Sequence, residues 1–461
     1  MDPVGDGGDL PPEADVIVLG MGPGGEDVAG RLAQAGLSVV GIEANLLGGE
    51  CPYWGCIPSK MMVRAAGTLA EAARLGELAG RATVEPDWAP VVRRIGEATD
   101  HWDDAVAVER FVSKGGRFLR GFGTVEGPGQ VRVGERALRA DKALVVATGT
   151  SPSVPPVDGL AGAPFWTNRE AIECEEPPAS LVVLGGGAIG LELGQVFARF
   201  GTEVTVVEVA DRLLAMEEPE SSAVVDEALR ADGVRVLTAA SVSSVGHDGG
   251  RFRLVLERGE PLEAERLLVA AGRRADLAAI GAEALGVDTS LHHLPVDGRC
   301  RVADGVWAVG DVTGIGAFTH LAMYQARIVA EDILGHEPAP ASYHALPRVT
   351  FTDPEIGAVG LTEAQARAKG LDVRTATTEL PASSRGFIHG PGNAGFVKLV
   401  EDRRERVLVG ATSAGPSGGE MLGLLALAVH ARVPTGQLAR MIYAYPTFHR
   451  AIEAAVDQLE E

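Results

Sequence analysis

The sequence predicts an α/β protein: two dinucleotide-binding βαβ units, then a last block of antiparallel strands and helices. Three observations carry that expectation. A glycine-rich turn between a hydrophobic run and a helix-like stretch occurs twice, about 165 residues apart. Each turn is followed, at the end of the next hydrophobic run, by a glutamate. Beyond a proline-rich link, the last block carries short alternating runs followed by helical stretches.

The first folded unit starts at Ala14. Asp15–Leu19 reads as a buried strand, Val28–Ala35 as a helix and Ser38–Ile42 as a second strand. The same order returns at Ser180–Leu184, Leu191–Phe200 and Glu203–Val207. Pro152, Pro155 and Pro156 mark the passage between the units. The loop-rich stretch Ala275–Gly305 precedes a further strand, Val306–Val309, and a proline-rich link from Glu337 to Pro347 opens the last block. There, Phe396–Val400 and Val407–Gly410 read as antiparallel strands, and Gly419–Ala431 and Thr435–Met441 as helices.

Composition bounds the function. A chain of 461 residues suggests two to four domains, and 46% hydrophobic against 23% charged residues gives real cores. The formal charge of −22 repels phosphate backbones and anionic lipid, which argues against nucleic acid and membrane partners. Cys51, Cys56, Cys174 and Cys300 are too few for a secreted disulfide framework. The opening Met1 to Glu13 is acidic and lacks the basic start and apolar centre of a signal peptide. The longest apolar stretches, such as Met421–Val429, fall far below the ~20 residues of a membrane span. Secreted, membrane and collagen-like classes are excluded, and a cytoplasmic protein is expected.

The first chemical motif is Gly20-Met21-Gly22-Pro23-Gly24-Gly25. Gly20 permits the tight turn, Gly22 lets backbone approach a pyrophosphate, and Gly25 lets helix and strand pack closely. The helix N-terminus then offers its N–H groups to the phosphates. Glu43 stands at the end of the next strand, where an acid takes ribose hydroxyls. The second motif repeats the design with Gly185, Gly187 and Gly190, and with Glu208 as the acid. A carboxylate there accepts from a free 2′-hydroxyl and repels a 2′-phosphate, so NAD is expected over NADP; Arg212, close by in sequence, softens that preference.

The third motif runs Gly48-Gly49-Glu50-Cys51-Pro52-Tyr53-Trp54-Gly55-Cys56-Ile57-Pro58-Ser59-Lys60. Cysteines five apart do not face each other on a regular helix, which rises about 7.5 Å over that span, whereas a disulfide wants Cα atoms ~5.5 Å apart. Gly55 and Pro58 can loosen the turn. A thiol beside a helix start and Lys60 would then be reactive; the other reading is two inert buried thiols. A zinc site lacks its second ligand pair. Cys174 and Cys300 have no such setting and read as structural.

These motifs, with Ala147-Thr148-Gly149, Gly310-Asp311 and Leu361-Thr362-Glu363, make the chain resemble the class I pyridine nucleotide-disulfide oxidoreductases, the family of dihydrolipoamide dehydrogenase, glutathione reductase and mercuric reductase. The resemblance covers nearly the whole chain from Ala14. It implies two Rossmann-like dinucleotide-binding domains and a C-terminal α+β dimerisation domain. The first part of the FAD-binding domain would span residues 1–155, the NAD-binding domain 156–275, a central domain completing the FAD site 276–340, and the dimerisation domain 341–461. FAD would occupy the first glycine site, with Lys60, Thr148, Gly149, Gly310, Asp311 and Ala322 completing it; NAD would occupy the second, with Gly272. By the same resemblance, Cys56 is the charge-transfer thiol under the flavin and Cys51 the interchange thiol. Lys60 pairs with Glu192 near flavin N5, and Asp311 binds the ribityl chain. A helix beginning near Leu321 would aim its positive end at the flavin, with His320 at its start, read as a packed or capping residue in preference to one that transfers a proton directly.

One stretch departs from the family. It should supply His-Pro-Thr with a glutamate five residues after the histidine, and this chain reads Tyr445-Pro446-Thr447-Phe448-His449-Arg450. Tyr445 stands for the histidine and Arg450 for the glutamate. Imidazole titrates near ~6.5 and takes a thiol proton at neutral pH, whereas phenol titrates near ~10 and is a poor base. Tyr445 can still donate a hydrogen bond; His449 would substitute only through a local shift, since one residue along a helix rotates a side chain by ~100°. The resemblance implies a homodimer in which this segment faces the partner subunit's Cys51. The expected activity is an NADH-dependent flavoenzyme passing electrons to a redox-active Cys51–Cys56 disulfide and on to a small-molecule acceptor: a small disulfide, a quinone-like oxidant or a metal ion. Alternatives are flavin-direct quinone reduction or transhydrogenation, dihydrolipoamide dehydrogenase proper, a carboxylating relative that turns the dithiol on a thioether, and a non-catalytic FAD-binding component of a complex.

Overall fold

The structure, a computed structural model, describes residues 10–460; most of the acidic opening segment lies outside the described residues. These residues divide into two compact units. One comprises residues 10–58 with Arg93–Ser153 and Arg273–Ser342, the other Ser59–Val92 with Val154–Gly272 and residues 343–460.

The first unit is built on a largely parallel sheet. Strand Glu13–Leu19 pairs in parallel with Val39–Glu43 on one side and with Arg136–Val146 on the other, and Val306–Ala308 and Arg117–Arg120 extend the sheet outward. Glu13–Leu19 is inaccessible from Val16 to Leu19 on both faces, as expected when helices cover a parallel sheet. Pro23 opens helix Pro23–Gln34 at a position where its missing N–H is no loss. That helix packs on Thr319–Ile333, where Ala322 sits against Gly24. The expected first helix thus begins at the glycine turn itself, five residues before Val28, because Gly24 and Gly25 bury against neighbours instead of standing in a loop.

The second unit repeats the device in a four-stranded parallel sheet, ordered Arg235–Leu237, Glu203–Val207, Ser180–Leu184, Arg266–Val269, with helix Ala188–Arg199 after the glycine turn. The same unit holds a five-stranded antiparallel sheet ordered Pro347–Thr350, Glu355–Gly360, Val407–Gly415, Phe396–Asp402, Val373–Glu379. Helices Gly418–His430 and His449–Glu460 supply apolar side chains to the core on that sheet. The expected helix Thr435–Met441 is shorter, Thr435–Leu438. No helix among the described residues is long and apolar enough to cross a membrane.

Strand Phe396–Asp402 is buried at every position, charged residues included. Lys398 meets Glu218 at 3.1 Å, Glu220 at 2.8 Å and Glu363 at 3.2 Å. Burial alone would pull its ammonium toward neutrality, and the three carboxylates outweigh that and hold it charged. Lys398→Met leaves buried Glu218 without its cation, a change that costs about 3 kcal/mol or more. A lowered thermal unfolding midpoint is expected, partly recovered in Lys398→Met with Glu218→Gln.

Candidate active site

The first glycine turn and its acid meet as the motif requires. Glu43 ends its strand with one carboxylate oxygen accepting from Met21 N at 2.8 Å and the other from Asn45 N at 2.8 Å. A Cβ on Gly25 would stand 2.0 Å from Gly20 O, so that position admits only glycine. Gly22 caps the helix without a side-chain hydrogen bond, and a Cβ there would meet nothing nearer than Gly49 Cα at 4.0 Å. The result is an open backbone cradle at a helix N-terminus, suited to a pyrophosphate. Ala147-Thr148-Gly149 closes the other side, with Thr148 Cα beside Gly20 and Gly149 at φ +67°.

Asp311 follows Gly310, whose N–H donates to the buried Gln325 at 2.7 Å. Thr150 donates to Asp311 at 3.2 Å, and Arg273 donates to both Thr150 Oγ1 and Thr150 O. Burial raises the Asp311 carboxyl above the ordinary aspartate range, and Arg273 and Thr150 offset this only in part. Ala322 lines up with Gly24 and Gly310, its small side chain letting both approach. These groups, an open cradle, a ribose acid and a partly buried carboxylate in one unit, fit FAD.

The second site has the same plan. Glu208 accepts from Gly186 N and from Ala210 N at 2.5 and 2.7 Å. Gly190 repeats the Gly25 contact, its Cβ position 2.4 Å from Gly185 O. Gly187 faces open space, and Ala270-Ala271-Gly272 stands where Ala147-Thr148-Gly149 stands in the first site. Arg212 does not reach outward as the sequence suggested. Its guanidinium donates to Leu214 O, Ala215 O, Glu217 O and Ser222 Oγ. With that cation committed to its own loop, Glu208 is the charged group that meets the glycine turn, and these residues fit NAD.

The cysteines lie on two helices. Cys51 is in Glu50–Trp54 and Cys56 opens Cys56–Leu78, with the chain broken at Gly55. The break folds the sulfurs back toward each other, which one continuous helix forbids. The structure holds both as thiols. A hydrogen bond to Cys56, then burial, raises the Cys51 thiol well above the usual range, so Cys51 keeps its proton. Cys56 Sγ lies 3.4 Å from Thr319 Oγ1, at the N-terminus of Thr319–Ile333. It therefore stands at two helix starts, its own and that of the 319 helix, and both favour negative charge on sulfur. Cys174 is buried, its thiol raised to about 11 by burial, and Cys300 is fully buried. His320 stacks on Phe318, centroids 5.2 Å apart, in keeping with a packed residue.

In the other unit, Lys60 Nζ meets Glu192 at 2.7 Å. Tyr445 is 70% exposed, with the Arg450 guanidinium 5.9 Å from its ring centroid. Arg450 also pairs with Glu453, and His449 opens the last helix. Thr319, Thr150, Arg273 and Gln325 escaped the sequence reading. Thr319 adjoins the helix start already expected near Leu321, which was its one available signal.

Residues 14–326 match the family model described as pyridine nucleotide-disulphide oxidoreductase, and residues 346–456 match that family's dimerisation domain. The dihydrolipoyl dehydrogenases of Chlorobaculum tepidum and Geobacillus stearothermophilus are each 34% identical, over 98% and 97% of both chains. Among solved structures, the Cu(II) complex of the HOCl-induced flavoprotein disulfide reductase RclA from Escherichia coli superposes with a TM-score of 0.84 at 25% identity, covering 97% of this chain and 99% of that one. LpdA from Mycobacterium tuberculosis gives 0.85 at 26%, covering 96% and 99%. The chain belongs to the pyridine nucleotide-disulphide oxidoreductase family. It is a flavin disulfide oxidoreductase of the kind that uses FAD and NAD(H).

Two outcomes follow. The Asp311 carboxyl is raised in the folded chain, so its destabilising effect is absent below its unfolded value near 3.8, grows as pH rises above that and is complete once pH exceeds the raised value. Asp311→Asn should therefore raise the melting midpoint of FAD-free protein at pH 7, by an amount that shrinks toward pH 4, while lowering the FAD retained on purification. Glu208→Ala removes the 2′-phosphate repulsion and should narrow the NADH over NADPH ratio of kcat/KM about tenfold, equivalent to ~1.4 kcal/mol.

Proposed function

We propose that the chain is an NADH-dependent reductase whose Cys51–Cys56 pair carries electrons to a small-molecule oxidant, and that it does not oxidise dihydrolipoamide efficiently. The observation that carries this is the sulfur pair: a protonated Cys51 hydrogen-bonded to Cys56, which sits at two helix starts. FAD, when bound at the first site, supplies the two-electron exchange between reduced nicotinamide and sulfur. Cys56 holds negative charge on the flavin side. Cys51 offers its thiol to the acceptor, and closing the disulfide from the Cys51 thiol and the Cys56 thiolate releases two electrons and one proton, the acceptor taking its second proton from solvent. A quinone-like acceptor leaves as the hydroquinone, and a disulfide leaves as two thiols.

Direction follows from Tyr445. The oxidation of an incoming dithiol needs a base at that place, and phenol is a poor one near neutral pH. Reduction of an acceptor needs a donor, which a phenol can be. The exposed Phe387, Ile388, Ile442 and Tyr445 support a homodimer closed through the C-terminal block. A metal ion is the second acceptor class, favoured by the Cu(II) complex of RclA. No cluster of three or more His, Cys, Asp or Glu side chains able to hold a metal occurs among the described residues. A metal acceptor would therefore meet the thiols themselves.

Anaerobic titration of the FAD-loaded protein with NADH should develop a long-wavelength thiolate–flavin band, and Cys56→Ser should abolish it. Absence of the band in the wild type removes the dithiol from the path. In an acceptor panel of lipoamide, glutathione-type disulfide, quinone, Cu(II) and mercuric ion, Tyr445→His should gain lipoamide turnover at least tenfold.

A further inference from the structure

Helix Ala188–Arg199 presents Glu192, Gln195 and Arg199 on one face, at spacings of three and four residues, and all are nearly buried. The turn that follows strand Pro347–Thr350 is fastened along this face. Phe351 N donates to Glu192 Oε1 at 2.8 Å. Asp353 N donates to Gln195 Oε1 at 2.8 Å, and Gln195 Nε2 donates back to Asp353 O at 3.0 Å. The Asp353 carboxylate accepts from Arg199 and from Arg74, each at 2.9 Å. One end of this seam is the Lys60–Glu192 pair. Glu192 uses its second oxygen, Oε2, for Lys60, whose ammonium also stands 4.8 Å from the centroid of the Phe351 ring.

Phe351 therefore acts on the lysine twice. Its N–H stops the buried carboxylate from rotating, and its ring face attracts the ammonium through the aromatic quadrupole. A carboxylate alone leaves a four-carbon side chain free to swing about one contact, whereas a carboxylate and a ring fix a direction. We propose that Phe351 is a positioning residue that aims the Lys60 ammonium for the redox step, and that through it the antiparallel sheet of the C-terminal block controls that step. This rests on the family-based reading that Lys60 works beside the flavin.

The test uses the FAD-loaded protein with side-chain substitutions that keep the Phe351 N–H. Phe351→Leu removes the π face and keeps an apolar side chain; Phe351→Tyr keeps the face. In Phe351→Leu, flavin reduction by NADH in single turnover should slow about threefold to thirtyfold at unchanged KM for NADH. The midpoint potential of bound FAD should become more negative, and acylation of the Lys60 amine, followed by mass spectrometry, should quicken. Phe351→Tyr should stay within about twofold of wild type, and both variants should match its melting midpoint within a few degrees. In a Lys60→Met background Phe351→Leu should have no further effect. If Lys60→Met itself changes neither rate nor potential, the reading of Lys60 fails. If Lys60→Met lowers both but Phe351→Leu lowers neither, or if the two substitutions add, the role of Phe351 is wrong.

Discussion

The site depends on a break in a helix. Between Glu50–Trp54 and Cys56–Leu78 the chain leaves helical geometry at Gly55, and the two thiols come into hydrogen-bonding reach. A continuous helix would separate those Cα positions along its axis by about 7.5 Å and point the side chains apart. The break also places Cys56 as the first residue of a long helix while its sulfur touches Thr319 at the start of another. Local backbone geometry thus brings the thiols together and sets a difference between them: Cys51 keeps a proton, and Cys56 stands where negative charge is favoured.

The same device occurs once in each unit, at the two glycine turns. In each, a glutamate at a strand end ties the glycine turn through a backbone N–H, and a glycine further on lets helix and strand approach within a distance no side chain permits. The copies differ in what surrounds the acid. Around Glu208, an arginine that suggests phosphate binding is consumed by three carbonyls of its own loop and a serine hydroxyl. In the first unit, burial holds the Asp311 carboxyl above its ordinary range, an arrangement that stability alone would not select.

Much of this was legible in the sequence because its signals are local. The glycine turns, their acids and the cysteine motif occupy short windows, and backbone sterics fix what each window does. The sequence misplaced the start of the first helix, since Gly24 and Gly25 look like loop residues until the packing of Ala322 is known. Arg212 misled for a related reason: proximity in sequence shows that a cation can reach a phosphate, not that four nearer acceptors hold it. Phe351 carried no signal, because its effect runs through its backbone N–H and ring face onto residues more than 150 positions away in sequence. The Tyr445 and Arg450 exchange was visible, and the proposed direction of the chemistry rests on it.

The central claim is that Cys51 and Cys56 form one two-electron couple. The most direct measurement is mass-spectrometric mapping of alkylated cysteines in oxidised protein before and after one equivalent of NADH under anaerobic conditions. The account predicts that neither residue is modified before reduction, because they are bonded to each other, and that both are modified afterwards, while Cys174 and Cys300 stay unmodified throughout. Modification of Cys51 and Cys56 to the same extent before and after NADH would contradict it.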